Sequence, residues 1–247
     1  MSAYEALADS YDSLTYDIPY EQMLTYMEAL LQRHGVRPEN VLDLACGTGS
    51  MSVLLAKRGY RVIAADLSED MLAVASEKAS VLEGNFPMFI CQRMERLRLP
   101  YQVDWVVCCL DSLNYVTEPE NCREALKRIW NCLAPGGALI FDINSQEKLH
   151  GLDGQVFLDE NEDTYCVWRA EFDQEKNICC YGMDIFQRDG ELWRRSFEEH
   201  QEYAYSVEQL TDFLREAGFG IIEVYGDRSF DGPGAGEQRI YFYAQKE

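Results

Sequence analysis

Apolar residues along the chain keep two rhythms, and the alternation between them predicts the fold. Between residues 20 and 34, Tyr20, Met23, Leu24, Met27, Leu30 and Leu31 recur at the three-and-four spacing of an amphipathic helix. Residues 2–10 read as a shorter helix ahead of it. From residue 41 onward, short apolar runs alternate with helical stretches. Segments 41–45, 61–66, 88–92, 103–110 and 138–143 read as strands. The fourth is apolar almost throughout, as a strand covered on both faces must be. Helices are expected from about residue 50, from the N-cap Ser68 to about residue 83, and over 119–133, where Pro119 suits a first turn. This alternation predicts a doubly wound α/β domain, Rossmann-like, around a mostly parallel sheet.

The rhythm changes after Asn144. Segments 155–158, 165–172, 178–188 and 191–205 read as strands, with hairpin turns at 173–177 and 188–190. The helical period returns over 206–217, closed by Gly218, and strands follow near 221–225 and 239–245. Residues 1–150 and 206–247 are therefore expected to form the α/β domain, and 151–205 a small antiparallel β insertion. The insertion leaves the main domain after its fifth strand. Ligands of open α/β sheets sit outside the carboxyl ends of the strands, so the insertion is placed to cover the pocket as a lid and to shape a substrate region.

Candidate chemistry concentrates at the first strand. Val41-Leu42-Asp43-Leu44-Ala45 runs into Cys46-Gly47-Thr48-Gly49 and then into an apolar helix. Strand, glycine turn and helix N-terminus together make a nucleotide-sized pocket. A dinucleotide fingerprint needs a third glycine, and Ser52 stands there. Asp43, inside the strand, would repel a pyrophosphate and welcome an ammonium group. The second strand ends in Asp66, at the distance from the turn where a ribose-binding carboxylate belongs. One acid for an amine and one for a ribose suggest S-adenosylmethionine.

These residues make the chain resemble the class I S-adenosylmethionine-dependent methyltransferases, of a small-molecule type with a β insertion. The resemblance rests on Asp43 to Gly49, on Asp66-Leu67-Ser68 with Met71-Leu72 beyond, on Leu133-Ala-Pro-Gly-Gly137 with the strand after it, and on Ala217-Gly-Phe219. It implies an antiparallel last strand and methyl transfer to a small molecule. It also implies that Asp43, Ala45, Cys46, Gly47, Gly49, Asp66, Leu67, Met71, Met94, Leu110 and Asp111 contact the cofactor. An N-terminal segment with Tyr11 and Tyr16 would close over it, with Tyr11 also a catalytic candidate. Where many relatives carry an Asp for the adenine amine, this chain has Arg93, which cannot accept that hydrogen bond. Within the insertion, Glu198 and His200 alternate onto one face of a strand. A carboxylate beside an imidazole can orient it as a base, which makes His200 the other catalytic candidate. Asn114 and Tyr115, after the fourth strand, are read as a turn that either caps itself or faces substrate.

Charge and cysteine usage narrow the partners. The 22 Lys and Arg against 43 Asp and Glu give a formal net charge of −21. A nucleic-acid binder must neutralise phosphates, so RNA and DNA are not expected as partners. The nine cysteines are odd in number and contain no Cys-x-x-Cys, so neither a disulfide framework nor a structural zinc site is expected. With no signal segment and no long apolar span, the cytoplasm is the expected compartment and no membrane partner is expected. The competing functions are a nicotinamide-dependent oxidoreductase, disfavoured by Ser52 and Asp43, and a non-catalytic S-adenosylmethionine-binding protein. The methyl acceptor and the oligomeric state are not legible in the sequence.

Overall fold

The computed structural model describes Asp12 and residues 17–247. The helix expected over 2–10, Tyr11 and Tyr16 lie outside the described residues. Five parallel strands, β1 (Asn40–Leu44), β2 (Arg61–Asp66), β3 (Met88–Cys91), β4 (Val103–Cys108) and β5 (Leu133–Asn144), form the centre of the main sheet. With β10 (Ile221–Tyr225) and β11 (Arg239–Gln245) the sheet has seven strands in the order β10-β11-β5-β4-β1-β2-β3. The last strand, β11, runs antiparallel to both neighbours. The order reverses direction between β1 and β4, and open α/β sheets bind ligands outside the carboxyl ends of the strands at such a switch point.

The strands are buried on both faces because helices cover both. On one face Val41, Val62, Ala64, Trp105 and Val107 pack against Met23, Leu24, Met27, Leu30 and Leu31 of α1 (Tyr20–Arg33) and Met51 and Leu55 of α2 (Ser50–Lys57). On the other, Leu42, Leu44, Ile63, Val106 and Leu139 meet α4 (Pro119–Cys132) through Leu126 and Ile129, and α6 (Val207–Ala217) through Leu210, Phe213 and Leu214. Helix α3 (Glu69–Ala79) starts at the N-cap Ser68, whose side chain accepts from Met71 N, as expected. It stops four residues short of 83, where the Ser80 amide closes the last turn.

The structure departs from the sequence reading in several further places. Strand β5 begins directly at the end of α4 and takes in the Pro135-Gly136-Gly137 turn, with Leu133 opposite Val103 of β4. A short helix, α5 (Gln146–Gly151), follows it, capped by the Ser145 side chain on Lys148 N. Finally, β6 (Val156–Glu160) reaches two residues further than expected. With β7 (Thr164–Asp173), β8 (Ile178–Asp189) and β9 (Leu192–Tyr203) it forms a separate four-stranded antiparallel sheet in simple sequential order.

Candidate functional site

The turn after β1 is held by the acid at the end of β2. Asp66 accepts from Gly47 N at 2.8 Å with one oxygen and from Ser68 N at 2.9 Å with the other. Burial raises its pKa, and these two amides oppose the shift. The turn itself needs left-handed backbone at Ala45 (φ +58), Gly47 (φ +53) and Gly49 (φ +76). The two glycines have different reasons to be glycine. A Cβ on Gly49 would lie 2.8 Å from the Ala75 Cβ, so this glycine lets α2 and α3 approach. A Cβ on Gly47 would meet nothing within 4 Å. Its bare backbone therefore faces open space beside Asp66.

Asp43 lies beneath the same turn and reaches toward α2. Its carboxylate accepts from the Ser52 hydroxyl at 2.5 Å, in the first turn of α2, while the Gly47 amide belongs to Asp66. Asp43 is 2% exposed. Burial pushes its pKa up to about 7, against the opposing Ser52 hydrogen bond. Half-buried Cys46 lies close by, its thiol raised by burial and by the Asp43 and Asp66 charges. Leu67 is 52% exposed at the mouth of the site, whereas Met71 is buried. Half-buried Met94 packs against the core from the 3-10 turn Met94–Arg96. The Arg93 guanidinium turns to Glu95. Asp12 bears on the same turn: it accepts from Thr48 Oγ1 at 2.7 Å and pairs with Lys78 Nζ at 2.6 Å.

Across the switch point, Leu110 and Asp111 follow β4. The buried Asp142 of β5 accepts from Leu110 N at 2.9 Å and Asp111 N at 3.1 Å, and it also takes the Arg239 guanidinium. Asn114 is fully buried and works as a clasp. Its side chain bonds Asn144 N and O at 3.2 Å and Tyr203 O at 3.0 Å, and its carbonyl takes Tyr203 N at 2.7 Å. The last residues of β9 are thereby fastened to the ends of β4 and β5.

The second sheet turns one face toward these strand ends. Cross-strand partners share a face, which puts Glu198, His200 and Glu202 of β9 together with Met183, Tyr181 and Cys179 of β8. All three β9 side chains are buried. His200 Nε2 lies 3.1 Å from Glu198 Oε2, and the Tyr115 ring stands edge-on to the imidazole at 5.9 Å. Glu202 accepts from Asn144 Nδ2 at 2.8 Å. Burial and the Asp111 charge raise its pKa, while Asn144, Lys148 and Tyr181 oppose the shift. On the opposite face Arg169 and Arg195 bracket Asp184. Among the described residues no group of His, Cys, Asp and Glu is arranged to hold a metal ion. No described helix is long and apolar enough to cross a membrane.

Comparison with known proteins decides the family. A family model described as a methyltransferase domain matches residues 41–137. YqeM of Bacillus subtilis (strain 168), which bears a methyltransferase name, is 34% identical over 245 residues, covering 98% of this chain and 97% of its own. The chain belongs to the class I S-adenosylmethionine-dependent methyltransferases. A solved S-adenosylmethionine-dependent methyltransferase from Clostridium acetobutylicum ATCC 824 shares 29% identity at a TM-score of 0.88, over 98% of both chains. The sugar N-methyltransferase KedS8 from Streptoalloteichus sp ATCC 53650, at 20% identity and a TM-score of 0.74 over 96% of this chain and 91% of its own, shares the fold. This methyltransferase is accordingly an enzyme whose cofactor is S-adenosylmethionine.

Its expected site residues fall into three groups. The structure brings Ala45, Cys46, Gly47, Gly49, Asp66 and Leu67 together around one turn, with Asp43 beneath it. Leu110 and Asp111 stand across the switch point, and His200 lies on the inner face of the second sheet. Tyr11 and Tyr16 lie outside the described residues. The sequence reading missed Asp142, Arg239, Tyr181 and Glu202. Only Glu202 left a local signal, since the alternation Glu198-x-His200 continues to it. A separate cleft of about 690 Å³ opens at the far tips of the second sheet, lined by Tyr165, Phe186, Arg188 and Trp193 among others, and contains none of these residues.

Proposed function

We propose that this methyltransferase alkylates a small molecule held between the carboxyl ends of β1, β2, β4 and β5 and the inner face of the second sheet. The observation that carries the reading is the Asn114 clasp, which fastens β9 over the strand ends and sets Tyr181, His200 and Glu202 on that side. The residues at the switch point fit the cofactor. Asp66 would accept the two ribose hydroxyls. The Gly47 backbone, with open space in front of it, would let the ligand approach. Ala45, Cys46 and Leu67 would line its path, Met71 and Met94 would bound the adenine end, and Leu110 and Asp111 would close the opposite wall. Asp43 would act from beneath, through Ser52 and the N-terminal turn of α2. Tyr11 and Tyr16 would close over the top, with Asp12 as the anchor of that segment on Thr48 and Lys78.

When bound, the cofactor supplies a methyl group activated on a sulfonium. The chain's own part is to align the acceptor, exclude water and move one proton. Residues 151–205 form the lid and substrate region in this reading. His200 would take a proton from the acceptor, with Glu198 orienting its ring through Nε2. The net charge of −21 disfavours a polyanionic acceptor. The nine cysteines are all free thiols, in keeping with a reducing cytoplasm. Calorimetry with S-adenosylhomocysteine and with NAD tests the cofactor reading; binding of NAD with no response to S-adenosylhomocysteine would sink it. Screening small molecules for transfer of a labelled methyl group tests the acceptor class. His200→Ala is expected to abolish that transfer and to leave S-adenosylhomocysteine affinity within twofold.

A further inference from the structure

The turn after β4 is built against backbone preference. Leu110 (φ +57) and Asp111 (φ +52) are consecutive non-glycine residues in the left-handed region, where a Cβ crowds the following carbonyl. Such a conformation persists only where its surroundings over-determine it. Here two side chains do so. Both Asp142 oxygens are used on the turn, one by Leu110 N at 2.9 Å and the other by Asp111 N at 3.1 Å. Arg239 then joins Asp142 to the Asp111 side chain, donating one arm of its guanidinium to each, the second at 2.9 Å. The Asp142 side chain is wholly buried, and those of Asp111 and Arg239 are 14% and 23% exposed. Without the guanidinium two carboxylates would face each other in a poorly solvated place, which disfavours both charges. The circuit draws on β4, β5 and β11, and none of its bonds is local in sequence.

We infer that Asp142 and Arg239 are positioning residues for methyl transfer, which hold the Leu110–Asp111 turn in the left-handed form that completes the cofactor pocket. The inference rests on the proposed reading that this turn closes one wall of that pocket. Asp142 and Arg239 act through the turn and not by contact with reactants. Their effect is therefore separable from general stability.

Arg239→Gln and Asp142→Asn, made in the full chain, test this by amide hydrogen exchange and by calorimetry with S-adenosylhomocysteine. Loss of a charge-assisted network is expected to weaken binding about tenfold or more. The Leu110 and Asp111 amides should lose protection while Val106 and Val107 of β4 keep theirs. Arg239→Lys should fall between, because an ammonium serves one carboxylate where the guanidinium fork serves two. It also supplies the measurement if the harsher variants do not fold. Adding Asp111→Asn to Arg239→Gln removes the facing like charges and should restore protection of the turn. Affinity within twofold of the parent together with unchanged turn protection would overturn the inference. Equal loss of protection along β4 would overturn it too, by reducing the pair to general stabilisers. If the parent itself does not take S-adenosylhomocysteine, the functional reading fails, and the exchange data still decide whether the pair holds the turn.

Discussion

Asp43→Asn should change how stability depends on pH, in a direction fixed by the sign of the Asp43 shift. The carboxyl is 2% exposed and carries a pKa of about 7, raised chiefly by burial. In the unfolded chain an aspartate titrates near 3.9. The native state therefore holds the proton over a range in which the unfolded state has lost it. Stability from this group is fully present below about pH 3.9 and is lost as pH rises through about 7. A gap of about three pH units corresponds to about 4 kcal/mol, an upper bound because a buried site relaxes when charged. Asparagine keeps the shape and still accepts from Ser52, but it does not ionise. About two of those three units lie above pH 5, so the variant should gain on the parent by up to about 3 kcal/mol as pH rises from 5 to 9. Urea unfolding across that range measures it. Asp66, Glu202 and Asp142 also have raised pKa values, and they act in both proteins, so the difference between the two curves isolates position 43. Parallel curves would show that Asp43 stays ionised in the folded protein and that burial is not its dominant influence.

The remaining predictions concern the turn that lies above Asp43. Asp66→Ala should weaken S-adenosylhomocysteine binding by more than about tenfold, since hydrogen bonds to a charged group contribute roughly 1.5–3 kcal/mol each; affinity within twofold in calorimetry would remove Asp66 from the ribose. Gly47→Ala and Gly49→Ala should separate: the first lowers affinity more than thermal stability, and the second lowers the melting temperature markedly because its Cβ meets Ala75. Equal melting temperatures would refute the distinction. Asp12→Ala should reduce affinity a few-fold and leave the melting temperature nearly unchanged, because a half-exposed ion pair contributes roughly 1 kcal/mol or less. A drop of many degrees would make Asp12 a structural residue.

The fold and half of the candidate site were legible because they are local. The two rhythms place the strands of the main sheet and of the second sheet within a few residues. The glycine turn announces itself within nine residues, and Asp66 is identified by its spacing from that turn. The rest depends on register between distant strands. Arg239 meets Asp111 across 128 residues, and Asn114 meets Tyr203 across 89. Only the pairing of β5 with β11, which sets Tyr241 opposite Asp142, brings the guanidinium to that place. Read alone, an arginine opening a C-terminal strand is an unremarkable edge residue. The short helix α5 escaped for another reason: its six residues are too few to show a period.

Ser52 shows how one residue can be weighed correctly and still be half understood. Its place in the sequence argues against a dinucleotide, because the third glycine of that fingerprint allows close helix–strand packing. The structure adds what the serine does instead. Its hydroxyl supplies a hydrogen bond to a carboxylate that is otherwise sealed from water. A glycine there would leave Asp43 with the backbone amide of residue 52 and without the hydroxyl donor, and a buried charge with fewer hydrogen bonds is more costly. Asp43 and Ser52 are therefore best regarded as one unit, nine residues apart across the turn. Neither substitution is neutral while the other remains. Ser52→Gly alone should raise the Asp43 pKa further, and Ser52→Gly in an Asp43→Asn background should cost less than in the parent, which a double-mutant cycle on unfolding free energy at pH 8 can measure. Additive effects would show that the two residues stand together in space without acting on one another.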